Sequence, residues 1–345
     1  MQSHKLITSP ATTTIPLKEL HLSAKNKAKI NQLLEEFTFL EALQKYQLPV
    51  AHKILLYGAS GCGKTATANA IARELNKPIV TLHLGNFVSS KLGATAKNIT
   101  DVFTSAQLKK AVLFIDEFDF IGKTRDYDQK DSGEMKRLVN VLLQLIDNLA
   151  TDTLLICATN HIQAIDTALL RRFQLQLKFK APTQKQLDAY YAHLIAKFPK
   201  ELTTFKPIYN ISYAEAKDLV FLNLKKNIIL KEKQRKQFLF SYGTLQLEKV
   251  QLATYGRLLD GKDAVLPNYT LQQLQITDVS VLETSDQEFH PIAIKTNATE
   301  DTVSGKIFEI TTAELLNTDA YEVDNYKRVL ETFASGEQAW VYVKK

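Results

Sequence analysis

Gly58-Ala59-Ser60-Gly61-Cys62-Gly63-Lys64-Thr65 decides the fold, because it meets G-x-x-x-x-G-K-[ST] at every constrained position and stands between two segments of different period. The apolar run Ile54-Leu55-Leu56-Tyr57 ends just before it and reads as a strand. Residues 66–75 follow as an Ala-rich helical segment without Gly or Pro. Strand, glycine loop and helix in that order bring backbone N–H groups and a helix N-terminus to one point, which suits an anion. Glycines let the backbone close around phosphates, the Lys64 ammonium reaches them as a point charge, and the Thr65 hydroxyl is a candidate Mg²⁺ ligand. A nucleotide such as ATP is the expected occupant, cradled by Gly58, Ala59, Ser60, Gly61, Cys62, Gly63, Lys64 and Thr65.

Outward from this loop, strands and helices alternate. Ile79 to Leu84, Ala111 to Ile115 and Thr153 to Ala158 read as strands, with helices expected at 96–108 and 133–149. Alternation of this kind predicts an α/β domain with a parallel sheet covered on both faces. Ahead of the loop, Ile30, Leu33, Leu34, Phe37, Leu40 and Leu43 recur at helical spacing and predict one amphipathic helix over 25–45.

The run Ala111-Val112-Leu113-Phe114-Ile115 delivers Asp116 and Glu117 to the sheet's C-terminal edge, where ligands of open α/β sheets bind. Asp116 is expected to hold Mg²⁺ with Thr65, and Glu117 to orient the water that attacks the γ-phosphate. Asn160 ends the next strand, where it is expected to hydrogen-bond the same water or the γ-phosphate. Arg171 and Arg172 follow on a short segment; alone they read as surface charge, but with the preceding motifs they look like arginine fingers that stabilise charge on a phosphoryl group bound by a neighbouring copy.

Together, residues 58–65, 112–117, Asn160 and Ala168-Leu169-Leu170-Arg171-Arg172-Phe173 resemble the classical AAA branch of the AAA+ ATPases. The resemblance covers about two thirds of the chain. It implies a P-loop parallel-sheet core, a small helical lid, and a ring-shaped homo-oligomer, often a hexamer, with ATP between subunits. Ser212-Tyr213-Ala214-Glu215 looks like the branch's small-residue lid pattern, so no lid arginine is expected. Ser90-Lys91-Leu92-Gly93-Ala94-Thr95 occupies the place of the family's pore loop, but Leu92 stands where an aromatic is usual. Lys91, Leu92 and Gly93 therefore either grip a protein client or pack between subunits.

Of 43 basic and 37 acidic residues, 10 and 16 fall in residues 236–345, so a basic first piece is joined to an acidic second one. The lysines around 225–236 read as a solvated face, and no specific nucleic-acid partner is expected. No apolar run approaches the roughly 20 residues that cross a bilayer, and the N-terminus lacks a signal core, so a cytoplasmic protein without membrane contact is expected. The two cysteines, Cys62 and Cys157, are expected to be free thiols.

From residue 236 the pattern changes to many short strands and few helices, with one helix expected at 312–317. Tyr242-Gly243-Thr244-Leu245, Asp319-Ala320-Tyr321-Glu322 and Tyr326-Lys327-Arg328 resemble the γ-glutamylcyclotransferase family across this whole piece. The resemblance implies a β-rich, mixed α+β domain. In it Tyr242, Gly243, Thr244 and Leu245 would bind a small γ-glutamyl substrate, and Glu322 would move protons as the substrate closes to 5-oxoproline. Val323-Asp324 follows this glutamate where the family often has Gly, which leaves the pocket's shape open. The expected domains are 1–181 for the nucleotide core, 182–235 for lid and basic linker, and 236–345 for the second piece. Three readings stand: two active modules, a motor regulated by a non-catalytic γ-glutamyl sensor, or an ATP-dependent assembly switch.

Overall fold

Strands rich in Ile, Leu, Val and Cys can be buried on both faces only if helices cover both, and the computed structural model shows this arrangement. It describes residues 8–9, 15–84, 92–120, 132–275, 289–296, 298, 300–322, 325–333 and 335–345. The chain divides into two compact units: residues up to Pro199 with Phe205–Leu222, and Lys200–Thr204 with Asn223–Lys345.

In the first unit, helix α1 spans Ala24–Thr38 and α2 spans Leu40–Lys45. The single helix expected over 25–45 is thus two, parted at Phe39, whose φ of −107° and ψ of 26° leave the helical region. Ile30, Leu33 and Phe37 form the buried face of α1. Strands β1 (Thr8–Ser9), β2 (Lys53–Gly58), β3 (Ile79–His83), β4 (Val112–Asp116), β5 (Leu154–Thr159) and β6 (Leu175–Phe179) form a sheet in the order β1-β3-β4-β5-β2-β6. All neighbours are parallel except β1, which runs antiparallel to β3. Helices α3 (Lys64–Glu74), α4 (Leu92–Leu108) and α5 (Ser132–Asp147) connect the strands.

Alternation along the strands feeds two cores. Leu55, Leu113, Leu155 and Cys157 point into one, Ile54, Leu56, Phe114 and Ile156 into the other. Cys157 and Cys62 belong to different cores and both are free thiols. Helix α6 (Thr167–Leu170) precedes β6, and α7 (Gln184–Ile195) and α8 (Tyr213–Lys233) follow it. A capping box between Thr183 and Gln186 opens α7.

In the second unit, β7 (Lys236–Ser241), β8 (Gly261–Pro267), β9 (Tyr269–Gln275), β10 (Phe289–Lys295), β11 (Thr302–Thr311), β12 (Tyr326–Thr332) and β13 (Gln338–Lys344) form a mixed sheet. Its order is β8-β11-β7-β13-β10-β9, with β12 antiparallel to β13. Helix α9 (Glu248–Tyr255) stops at Gly256, whose φ of 68° suits a left-handed cap. Helix α10 (Thr312–Tyr321) runs a turn beyond the expected Asn317, so that its C-terminus delivers Glu322. The strand read at Val279-Ser280-Val281-Leu282 lies outside the described residues, as do Ser90, Lys91, Val323 and Asp324; Leu92 and Gly93 open α4. Among the described residues no helix is long and apolar enough to cross a membrane.

Candidate functional site

The phosphate loop closes because its glycines adopt conformations that side chains resist. Gly58, Gly61 and Gly63 have φ of 135°, 67° and 93°. A Cβ on Gly58 would sit 1.9 Å from the Phe179 carbonyl oxygen, so only glycine lets β2 and β6 approach there. A Cβ on Gly61 would meet the Ser212 hydroxyl at 2.5 Å, and the Ala214 N–H donates to the Gly61 carbonyl at 3.1 Å. The start of α8 is therefore seated directly on the loop, which explains the small residues at that end of the helix.

Residues far apart in sequence converge here. The Lys64 ammonium donates to the carbonyls of Gly58 and Ala59, each at 2.8 Å, and to Asn160 Oδ1 at 2.7 Å. Burial pulls its pKa below the ordinary lysine value, opposed by Cys62, Asp116 and Asp119. The Thr65 hydroxyl donates to Asp116 Oδ2 at 3.1 Å, and Asp116 Oδ1 accepts from the Glu117 N–H at 2.9 Å. Glu117 itself has a φ of 54°, uncommon for a side-chain-bearing residue, at the point where β4 ends. That turn leaves the Glu117 carboxylate exposed while Asp116 stays half-buried.

The N–H groups of Gly63, Lys64 and Thr65 meet no acceptor among the described residues, as an anion site at a helix start requires. The adjoining cavity of about 460 Å³ falls in the range of small-molecule sites. One hydroxyl and one carboxylate at 3.1 Å suit Mg²⁺, which keeps waters and shares phosphate oxygens rather than needing an all-protein cage.

Three contributors were given no role at this site by the sequence reading. Asp119 is buried and accepts from the Thr159 hydroxyl at 2.8 Å and the Asn160 N–H at 3.4 Å, which aims Asn160 at Lys64. Its signal was a third acid, one turn past Asp116 and Glu117. His21, Tyr190 and Tyr213 form an aromatic wall of the cavity. His21 lies 5.0 Å from the Tyr190 ring and stacks on Tyr213 at 5.5 Å, and burial with nearby His193 lowers its pKa. Lys217, one turn into α8, also lines the cavity.

Arg171 and Arg172 are not equivalent. Arg172 makes a two-pronged pair with Asp147, Nε and Nη2 each at 3.1 Å, and its Nη1 donates to the Ala168 carbonyl at 2.7 Å. Arg171 is exposed and carries no ion pair among the described residues. Both precede β6, whose far end, Phe179, pairs with Gly58. At about 3.3 Å per residue they stand roughly 15 Å or more from the phosphate loop along the strand axis.

A second site lies in the other unit. Tyr242, Gly243, Thr244 and Leu245 follow β7, and with His290, Pro291, Tyr326, Tyr342 and Glu322 they line a pocket of about 30 Å³. The N–H groups of Thr244 and Leu245 meet no acceptor among the described residues. The Tyr242 hydroxyl donates to the Tyr342 carbonyl at 2.5 Å and accepts from the Ala293 N–H at 2.9 Å, which fixes the loop's entry. Asp319 accepts from the Tyr342 hydroxyl at 2.7 Å and from Arg328 at 2.5 Å, so it is structural. Burial among apolar and aromatic neighbours pushes the Glu322 carboxyl up to about 8.

Comparison with known proteins parallels this division. The family model for "ATPase family associated with various cellular activities (AAA)" matches residues 54–181, and that for "Gamma-glutamyl cyclotransferase, AIG2-like" matches residues 239–345. The Sinorhizobium fredii protein "Uncharacterized AAA family ATPase y4kL" is 36% identical over 222 residues, covering 63% of this chain and 66% of that protein. The Chlorobium luteolum "ATP-dependent zinc metalloprotease FtsH" is 32% identical over 194 residues, covering 52% of this chain and 27% of its own length. The chain thus spans just under two thirds of the first relative and about a quarter of the second. The crystal structure of the FIGL-1 AAA domain superposes with a TM-score of 0.50 at 21% identity, over 62% of this chain and 72% of that one, a likeness of fold.

Proposed function

Since the chain joins an AAA-family ATPase domain to a domain of the AIG2-like γ-glutamyl cyclotransferase family, we propose that it hydrolyses ATP in the first and releases 5-oxoproline from γ-glutamyl amines in the second. The observation that carries the first half is the convergence of Thr65 with Asp116 and of Lys64 with Asn160 beside the strained Glu117. Lys64 and the loop N–H groups bind and orient the phosphates. Bound Mg²⁺, held by Thr65 and Asp116, would offset charge on the phosphate oxygens. The Glu117 carboxylate accepts a proton from the attacking water, and Asn160 positions that water, held in turn by Asp119.

The distance of Arg171 and Arg172 from their own phosphate loop exceeds the reach of an arginine side chain, so a guanidinium from this segment would meet a phosphate only on another copy. This favours a ring-like homo-oligomer. With Arg172 engaged by Asp147, Arg171 is the group free to cross to the neighbour. Substituting Glu117→Gln should abolish phosphate release while ATP binding by calorimetry persists; undiminished turnover would refute the assignment.

In the second unit, the substrate's α-amine nitrogen attacks its own side-chain amide carbon. The C–N bond to the leaving amine breaks as the five-membered lactam closes. Glu322 takes a proton from the attacking amine and returns one to the departing amine, while the Thr244 and Leu245 N–H groups stabilise the oxyanion. A carboxyl near 8 matches an α-amino group's ordinary value of about 8, so the transfer is nearly level in energy. Mass-spectrometric detection of 5-oxoproline from a panel of γ-glutamyl amines, with and without ATP, tests this. Failure with every substrate would leave a ligand-binding domain.

A further inference from the structure

Next to the nucleotide cavity, in the same unit, lies a second and larger one of about 680 Å³. The two share His21, Leu22, Cys62 and Tyr213 as a wall, but the second opens toward α1 and the end of β6. Four lysines line it: Lys25 and Lys29 on α1, Lys178 on β6 and Lys180 just after that strand. No aspartate or glutamate lines it, and none of the four ammonium groups has an ion-pair partner among the described residues. Four like charges around one concavity repel one another, and an anion entering it removes that cost.

The backbone adds to the same field. Ser23 and Thr183, the N-caps of the 15-residue α1 and the 12-residue α7, both line the cavity, so the positive ends of two helix dipoles lie beside it. Tyr57 and Gln176 also line it, the Gln176 amide donating to the Leu170 carbonyl at 3.3 Å. Nothing in the ATPase or cyclotransferase readings uses these residues.

We propose that this cavity is a second anion site that binds a small oligophosphate, distinct from the phosphate loop. Four ammonium groups balance the roughly four charges of a triphosphate chain, and the volume admits it with room for water. Each lysine ammonium binds phosphate oxygens as a point charge.

The test uses the full chain and inorganic tripolyphosphate in magnesium-free buffer. Lys64→Ala removes the phosphate loop's grip, and calorimetry of that variant should still register one binding event that weakens as salt is added. Adding K29E and K180E to Lys64→Ala should weaken this binding by about tenfold or more. Adding K27E and K45E, at lysines outside the cavity, should leave it unchanged. Circular dichroism and ADP binding by protein carrying only K29E and K180E check folding. If that pair fails to fold, Lys→Gln at the same positions carries the test. The proposal is overturned if Lys64→Ala binds no tripolyphosphate, if the cavity substitutions have no effect, or if both lysine pairs weaken binding alike.

Discussion

Replacing Glu322 with glutamine should stabilise the second unit, and increasingly so as pH rises. The folded carboxyl titrates near 8, against an ordinary 4.5. Between those values the folded chain holds a proton that the unfolded chain has released. Unfolding therefore becomes easier by up to about 1.4 kcal/mol per pH unit, with no effect below 4.5 and the full penalty above 8. The interval alone gives about 5 kcal/mol; because Glu322 keeps some contact with solvent, about 2 to 4 kcal/mol is the working figure. Glutamine resembles the protonated acid and does not titrate, so the difference between variant and parent isolates this one group.

The chain's single tryptophan makes the assay local. Trp340 lies on β13, its indole N–H donating to Gln237 at 2.9 Å and Arg328 standing 4.7 Å from its ring centre. Urea unfolding followed by its fluorescence reports this unit rather than the nucleotide core. The variant's advantage should grow by about 2 kcal/mol between pH 6 and pH 8. An advantage that stays flat or shrinks over that range would refute the buried, proton-holding Glu322.

The same titration sets the chemistry: 5-oxoproline release should rise as pH passes about 8, where Glu322 ionises and can accept a proton, and Glu322→Gln should eliminate it at every pH. For the arginines, Arg171→Ala should lower kcat by about a hundredfold or more with KM little changed. Asp147→Asn, which frees Arg172, should cost less than about tenfold, and equal losses would remove the distinction between them. Gly58→Ala drives a methyl to 1.9 Å from a backbone carbonyl and should cost about 3 kcal/mol or more of stability in thermal melts. Gly63→Ala, with open space around it, should cost only the left-handed backbone penalty of about 1 to 2 kcal/mol. Similar losses would contradict the packing.

Local chemistry was legible in the chain itself. A glycine loop between an apolar run and a helix, two acids ending a buried strand, and the change from alternating helices and strands to short strands are statements about neighbours in sequence. Periodicity and backbone freedom carry them. Periodicity could not show that Phe39 parts the first helix, because the apolar spacing continues across the break while packing redirects the chain.

Pairings across long separations belong to the tertiary structure. Lys64 meets Asn160 across 96 residues, Asp119 aims that asparagine, and Ser212 closes on Gly61. Two adjacent arginines looked alike until Asp147 was found holding one of them. Nor could an acid among other acids reveal its own desolvation: what sets Glu322 apart from Asp319 is chiefly what surrounds it. The sequence determined which chemical groups are available and how the backbone runs beside them. Folding decided which meet and which lose water, because contact and dielectric environment are properties of packing and not of order along the chain.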